Sequence, residues 1–305
     1  MIKRTLYFGN PAYLNTRNEQ LVINLPGANG MDEVVGNTVP IEDIGVVVLD
    51  HRQLTVTQVL LDKLLANNVA VITCNEAHLP TGLLLPLDGH TLQAQRFGAQ
   101  VTASEPLKKQ LWQQTVRAKI RNQAALLRQY GRDVQNMLFW ADAVQSGDKL
   151  NHEARAAAWF WQHLFPPELR FRRHREGEPP NNLLNYGYAI LRAIVARALV
   201  GSGLLPTLGI HHRNQYNAYC LADDIMEPYR PVVDRIVRQL LDEGEDMTRL
   251  STATKQKLLG LAATDVHLEG ERSPLFVGVQ RTTASLARCF GGEARKILYP
   301  ELEGL

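Results

Sequence analysis

Leu208–Asp234 reads LGIHHRNQYNAYCLADDIMEPYRPVVD, two adjacent histidines followed by three acids and Arg230. Asp223 and Glu227 are i, i+4 and Asp224 and Glu227 are i, i+3, so a helix beginning near Tyr219 carries these carboxylates along one side. Like charges that close repel unless a cation lies between them. Imidazole nitrogen with carboxylate oxygens suits a divalent ion such as Mg2+ or Mn2+. A solvated acidic face beside a surface His pair is the competing reading at equal weight, so the rest of the chain decides. Val232, Ile236 and Leu240 then continue a helix, which places the stretch in a helical region.

Upstream, NNLLNYGYAILRAIVARAL (Asn181–Leu199) predicts a strongly apolar helix. Its opening sets Asn185, Tyr186 and Tyr188 next to a loop over Glu176–Pro180, either to touch a substrate or to finish the core. Before the loop lies Arg170-Phe171-Arg172-Arg173-His174-Arg175, a run of arginines that repels itself unless phosphates neutralise it. GDKLNHEARAAAWFW (Gly147–Trp161) predicts a helix with the stripe Leu150, Ala154, Ala157, Trp161 and Leu164. Glu153 lies beside that stripe, and a partly buried acid must be paired, hydrogen-bonded or bound to metal. A salt bridge to Arg155 or another base is the alternative. Pro106–Arg132 holds Lys108, Lys109, Arg117, Lys119, Arg121, Arg128 and Arg132 and no acid. Arg117, Arg121 and Arg128 project within about 40° of each other at the helical turn angle. Helices normally mix both signs, so this face favours a polyanion over plain solvation.

The first ninety residues alternate instead. Arg4–Phe8, Tyr13–Leu14, Gln20–Leu25 and Gly45–Leu49 are short β-rich runs between Gly, Pro and Asn. Thr55–Asn67 switches to helical spacing and Val69–Thr73 returns as a buried strand. The fold class is therefore α+β: a small β-rich domain, residues 1–92, with a scaffold or dimerisation role, then a larger all-helical domain, residues 93–302. Residues 1–96 hold 6 Lys+Arg and 9 Asp+Glu, whereas residues 97–305 hold 27 and 22, so the basic charge sits with the helices. Cys74, Cys220 and Cys289 are too widely spaced for a disulfide framework or zinc site, and Met1 opens no leader, which predicts a cytoplasmic protein without a membrane partner. No Walker lysine motif or nucleophile elbow occurs. Glu303-Gly304-Leu305 reads as a tail.

Order and spacing of GDKLNHEARAAAWFW, NNLLNYGYAILRA and LGIHH…LADDIMEPYRPVVD, with YFGNPAYLNTRNEQLVI at the start, resemble the CRISPR-associated integrases, metal-dependent endonucleases that insert spacers into CRISPR arrays. The resemblance spans essentially the whole chain and points to type II members. It implies a homodimer that assembles with a small second adaptation protein on DNA, both protospacer and CRISPR repeat, with the RNA-guided effector nuclease as a further partner. It also implies that Glu153, His212 and Glu227 are catalytic and bind Mg2+ or Mn2+, with Asp224, Asp223, His211 and Arg230 around them. His211 competes with His212; the 15-residue spacing to Glu227 favours His212. Arg117, Arg121, Arg128, Arg170, Arg172, Arg173 and Arg175, with Tyr186 and Tyr188, are the expected DNA contacts. A 3′-hydroxyl of incoming DNA would attack a repeat phosphodiester. The alternatives are a metal-dependent DNA hydrolase without integration and a non-catalytic DNA-binding protein. Glu227→Ala is expected to abolish joining and to leave folding and DNA binding largely intact.

Overall fold

The structure, a computed structural model, describes residues 3–25 and 34–302. The expected tail at Glu303–Leu305 lies outside the described residues. The chain divides into two compact units, Met1–Gly89 and His90–Leu305.

The first unit is built from β1 (Arg4–Phe8), β2 (Ala12–Arg17), β3 (Gln20–Leu25), β4 (Val34–Pro40), β5 (Ile44–Leu49), β6 (Leu54–Val56), α1 (Gln58–Ala66), β7 (Ala70–Cys74) and β8 (Pro80–Leu84). These strands form two four-stranded sheets, ordered β1-β5-β7-β8 and β4-β3-β2-β6. β5 runs between two parallel neighbours, and Ile44, Val46, Val47 and Val48 are all buried. A strand covered on both faces reads as a continuous apolar run rather than an alternating one. β2 and β3 form a hairpin through Asn18 and Glu19, both at positive φ, as a two-residue turn between right-twisted strands requires. The Thr57 hydroxyl accepts from Leu60 N and starts α1, whose Leu60 and Leu64 join Leu14, Leu21 and Val71 in the core. Leu54–Val56 pairs with β2 as a strand, so the helix predicted from Thr55 begins three residues later, after the cap.

The second unit contains α2 (Gln93–Val101), α3 (Glu105–Gln129), α4 (Gln135–Ala143), α5 (His152–Leu164), α6 (Asn181–Gly201), α7 (Cys220–Met226), α8 (Arg230–Asp242), α9 (Thr252–Leu259), a hairpin of β9 (Asp265–Leu268) and β10 (Glu271–Pro274), and α10 (Leu275–Phe290). The hairpin is an addition to the all-helical expectation; its turn is Glu269-Gly270, both at positive φ. α6 is long and apolar enough to cross a membrane, yet most of it is buried in this unit against α7, α8, α9 and α10, the pattern of a core helix. A Cβ at Gly187 would stand 2.5 Å from Val233 Cγ1, so glycine there lets α6 and α8 approach closely. α3 packs on α4, α5 and α8 and presents two different faces.

Candidate active site

α5, α3 and the α7–α8 junction bring the motif residues together. Asp148, in the left-handed region, accepts from the backbone N–H groups of His152 and Glu153 at 3.0 and 2.9 Å. It satisfies donors that a helix start otherwise leaves open. The buried face of α5 is His152, Ala156, Phe160 and Leu164, while Leu150 and Ala154 are exposed. The expected stripe is thus displaced to the next row, because alanines on every side of Glu153 hide the periodicity. Both ring nitrogens of the buried His152 lack a hydrogen-bond partner.

Pro228 and Pro231 shape the second wall. A proline removes an N–H and clashes with the carbonyl four residues earlier, and here α7 passes through one tight turn, Glu227–Tyr229, into α8. Asn122 of α3 holds that turn: its Nδ2 donates to Pro228 O at 2.8 Å and to Pro300 O at 2.9 Å. One helical turn back from Asn122 stands Lys119. Its ammonium lies 2.7 Å from Glu153 Oε1 and 2.6 Å from Glu227 Oε2, and Arg230 Nε donates to Glu227 Oε1 at 2.7 Å. Glu153 is therefore salt-bridged to a base, as the alternative reading allowed, and that base is Lys119 of α3 rather than Arg155. Glu227 is thus held by a cation on each oxygen, Arg230 at Oε1 and Lys119 at Oε2. Burial alone would raise Glu227, but the Arg230 and Lys119 charges outweigh it and hold the carboxyl down at about 2.

The three acids of the stretch do not share one partner. Asp224, fully buried, accepts from His211 N at 2.9 Å, His212 N at 3.3 Å and His212 Nδ1 at 2.5 Å. A Cβ at Gly209 would stand 2.8 Å from Asp224 Oδ2, so glycine is needed for this approach. Asp223 bonds Arg192 Nε at 2.6 Å and Asn217 Nδ2 at 2.7 Å, and its charge acts on Arg230, which in turn bonds Glu227. His211 stacks on Trp112 of α3, centroids 4.1 Å apart and planes parallel within 1°, and burial lowers its pKa. His212 is different: the Asp224 hydrogen bond raises its pKa, with the charges of Glu227 and Glu153 adding to the effect. With Nδ1 donating to a buried carboxylate, the neutral ring carries its lone pair on Nε2, and the raised pKa means that a proton must leave Nε2 before that lone pair is available.

Among the described residues no three His, Cys, Asp or Glu side chains stand together at metal-ligating distances. Glu153 and Glu227 instead converge on an ammonium, and His212 lies within their field. The chemistry of the donors nevertheless fits a divalent ion. Two carboxylates already face one cation, and an imidazole oriented by Asp224 stands within their field.

The expected DNA residues divide. Arg117 and Arg121 approach the exposed Asp142 at 3.5 and 2.8 Å, and with Arg128, Arg295 and Lys296 they line a cleft of about 1110 Å³. Arg170, Arg172 and Arg175 are exposed. Arg173 is turned inward, donating to Asn181 Oδ1 and Asn185 Oδ1 at 2.8 Å each, with its guanidinium 5.3 Å from the Tyr188 ring. Tyr186 and Tyr188 are buried, and Tyr188 donates to Asp234. Both tyrosines are corrected from DNA contacts to core, as expected where a ring on an apolar helix meets a buried acceptor. Lys119, Trp112 and Asn122 are site residues that the motifs did not single out. The available signal was a lysine in the middle of the row Trp112, Thr115, Lys119, Asn122 and Leu126.

The sequence model of the family CRISPR associated protein Cas1 matches residues 6–259. A CRISPR-associated endonuclease Cas1 of Neisseria meningitidis serogroup C is 36% identical, over 99% of this chain and 97% of its own. A casposase bound to integration product shares the fold with a TM-score of 0.80 at 22% identity, over 99% of this chain and 95% of that one. A Cas6-RT-Cas1–Cas2 complex contains the same fold, with a TM-score of 0.75 at 20% identity over 99% of this chain and 36% of that longer one. On both the family match and the near full-length identity, the chain belongs to the Cas1 family of CRISPR-associated endonucleases.

Proposed function

We propose that this chain joins DNA strands by metal-dependent transesterification, inserting spacer DNA into a CRISPR repeat. The observation that carries the reading is the meeting of Glu153 and Glu227 on one cation beside an imidazole oriented by Asp224. Glu153, Glu227 and His212 Nε2 would hold Mg2+ or Mn2+. Such an ion, when bound, stabilises charge at the phosphate and lowers the pKa of an attacking hydroxyl.

The protein's own part is positioning. Asp224 keeps His212 in one tautomer, and Arg230 and Asn122 fix Glu227 and the turn that carries it. Arg117, Arg121, Arg128, Arg170, Arg172 and Arg175 would hold phosphates by charge without reading bases. The 3′-oxygen of the donor forms a bond to phosphorus as the repeat strand's own 3′-oxygen leaves, so one phosphodiester replaces another and no nucleoside triphosphate is needed. The described residues offer no separate protein nucleophile at the paired glutamates, and the scheme requires none. A Cas2-type partner, as in the complex that shares the fold, and a second copy of this chain would hold donor and target together. The type II assignment and contact with the RNA-guided effector belong to the same proposal.

The test supplies short DNA with free 3′-hydroxyls, Mn2+ or Mg2+, the small partner and a plasmid bearing the repeat. Strand-joined products are expected, and a 3′-deoxy donor should yield none. Shortened fragments alone under every condition would leave the hydrolytic nuclease in its place.

A further inference from the structure

α3 carries its basic residues mainly toward solvent, but Lys119 is 9% exposed. A buried ammonium is retained only where it is paired. Lys119 has two carboxylates, each within 2.7 Å, and Arg230 supplies a second cation to Glu227. Glu153 and Glu227 thus each have a cation in contact before any metal arrives. A divalent ion brought to these oxygens meets an ammonium already in contact with both. It adds two positive charges beside Lys119 and Arg230 in a largely desolvated cluster, where like charges repel more strongly than in water.

Two events relieve that repulsion: withdrawal of the ammonium, or arrival of an anion. Lysine suits the first, since its charge is compact and rides on a flexible four-carbon stem, so Nζ can move while Cα stays on α3. Arg230 is less free; it bonds Glu227 while its guanidinium lies 4.5 Å over the Tyr188 ring. A DNA phosphodiester suits the second. We propose that Lys119 is a resident counter-cation which a divalent metal must displace from Glu153 and Glu227, and that the displaced ammonium pairs with a DNA phosphate. Metal capture and DNA binding then reinforce each other. Lys119 is a positioning residue in this scheme, acting through the two carboxylates. The inference rests on the metal-dependent reading above and adds a condition to it: the ion loads well only with the substrate.

The test is Mn2+ binding to the whole chain, by calorimetry and by the electron paramagnetic resonance of free Mn2+. It is run at fixed ionic strength with and without a short 3′-deoxy DNA duplex that cannot be joined. In the wild type, saturating DNA should tighten Mn2+ by about tenfold or more, and Mn2+ should tighten DNA by the same factor, since the coupling is reciprocal. Lys119→Met should bind Mn2+ about tenfold more tightly than the wild type without DNA, and DNA should then add less than about twofold. Lys119→Gln, which keeps an N–H donor for Glu153, is the second variant, and its melting temperature should rise more with Mn2+ than that of the wild type. Folded variants that bind Mn2+ more weakly overturn the proposal, because Lys119 would then align the ligands rather than occupy their place. Absence of coupling in the wild type overturns it without any variant. Absence of Mn2+ binding in every sample, DNA included, removes the metal-dependent reading itself, whereas ordinary binding that ignores Lys119 removes only this inference.

Discussion

Lys119 and Arg121 stand two positions apart on α3 and meet opposite surroundings. Lys119 is enclosed by Glu153 and Glu227, while Arg121 keeps half its side chain in solvent against an Asp142 that is itself 64% exposed. The outer pairs contribute little, since exposed ion pairs are screened by solvent, so Arg117 and Arg121 can exchange Asp142 for a phosphate at small cost. The inner pairs cannot be broken cheaply: losing one partner of a buried pair costs about 3–5 kcal/mol. A run of bases without acids is therefore not one surface. The inward side holds the site together, and the outward side is free to bind. The arginine cluster divides in the same way, with Arg173 bonded inward and Arg172 and Arg175 exposed.

The largest expected effect lies on the inner side. Glu227→Ala should abolish strand joining, a loss of at least about a thousandfold in a gel assay, in line with removal of a group that stabilises transition-state charge. The sequence-based expectation that folding is left intact needs correction, because Lys119 and Arg230 would lose their buried counter-charge. A stability loss of about 3–5 kcal/mol in urea unfolding at pH 7 should accompany it. The pH dependence identifies the cause. Glu227 has its folded pKa held below the unfolded value, so its contribution is present above about 4.5 and disappears as pH falls toward about 2. The gap between wild type and variant should close over that range, and a gap that stays constant would mean lost packing rather than lost charge.

On the outer side the effects are smaller and depend on salt. Arg117→Ala, Arg121→Ala, Arg172→Ala and Arg175→Ala should each flatten the slope of log affinity against log salt by about 0.9 on duplex DNA. Arg173→Ala should leave the slope unchanged and lower the melting temperature, since its donors serve Asn181 and Asn185. Unchanged slopes for all four exposed variants would return both clusters to solvated faces.

What could be read in the sequence follows from which forces are local. The acids, the histidine pair and Glu153 stood out in the sequence because charge, residue type and helical spacing are local properties. The division of labour among Asp223, Asp224 and Glu227 was not, since it depends on Arg192, Asp224's reach to the His211–His212 backbone and the bend after Met226. Lys119 was hidden in a basic run because its burial is set by α5 and the α7–α8 turn, both distant in sequence. In the first unit, β5 and β7 announced themselves as apolar runs, but the pairing of Leu54–Val56 with β2 is a long-range choice that alternation over three residues cannot signal.

The smallest expected effect concerns how evenly the inner side is balanced. Asp234 of α8 is buried, accepts from Tyr188, and has one oxygen without a partner. Burial pushes its carboxyl up to about 7, against the Tyr188 hydrogen bond and the charges of Arg230, Arg173 and Lys119. Its folded pKa is thus above the unfolded one. The stability it contributes is fully present below about pH 4 and is lost as pH rises through about 7. Asp234→Asn keeps an acceptor for Tyr188 and removes the titration. It also places an amide donor where an oxygen lacks a partner, a cost that does not vary with pH. Urea unfolding of wild type and variant between pH 5 and pH 8 should show the variant gaining about 2–3 kcal/mol relative to the wild type across that window. His212 also titrates above its ordinary range, and its contribution is lost as pH rises, but it does so in both proteins and cancels in the difference. Glu227 changes only at lower pH. A difference that stays flat from pH 5 to pH 8 would mean that Asp234 is ionised throughout, and that the cations of the inner side neutralise it as fully as they do Glu227.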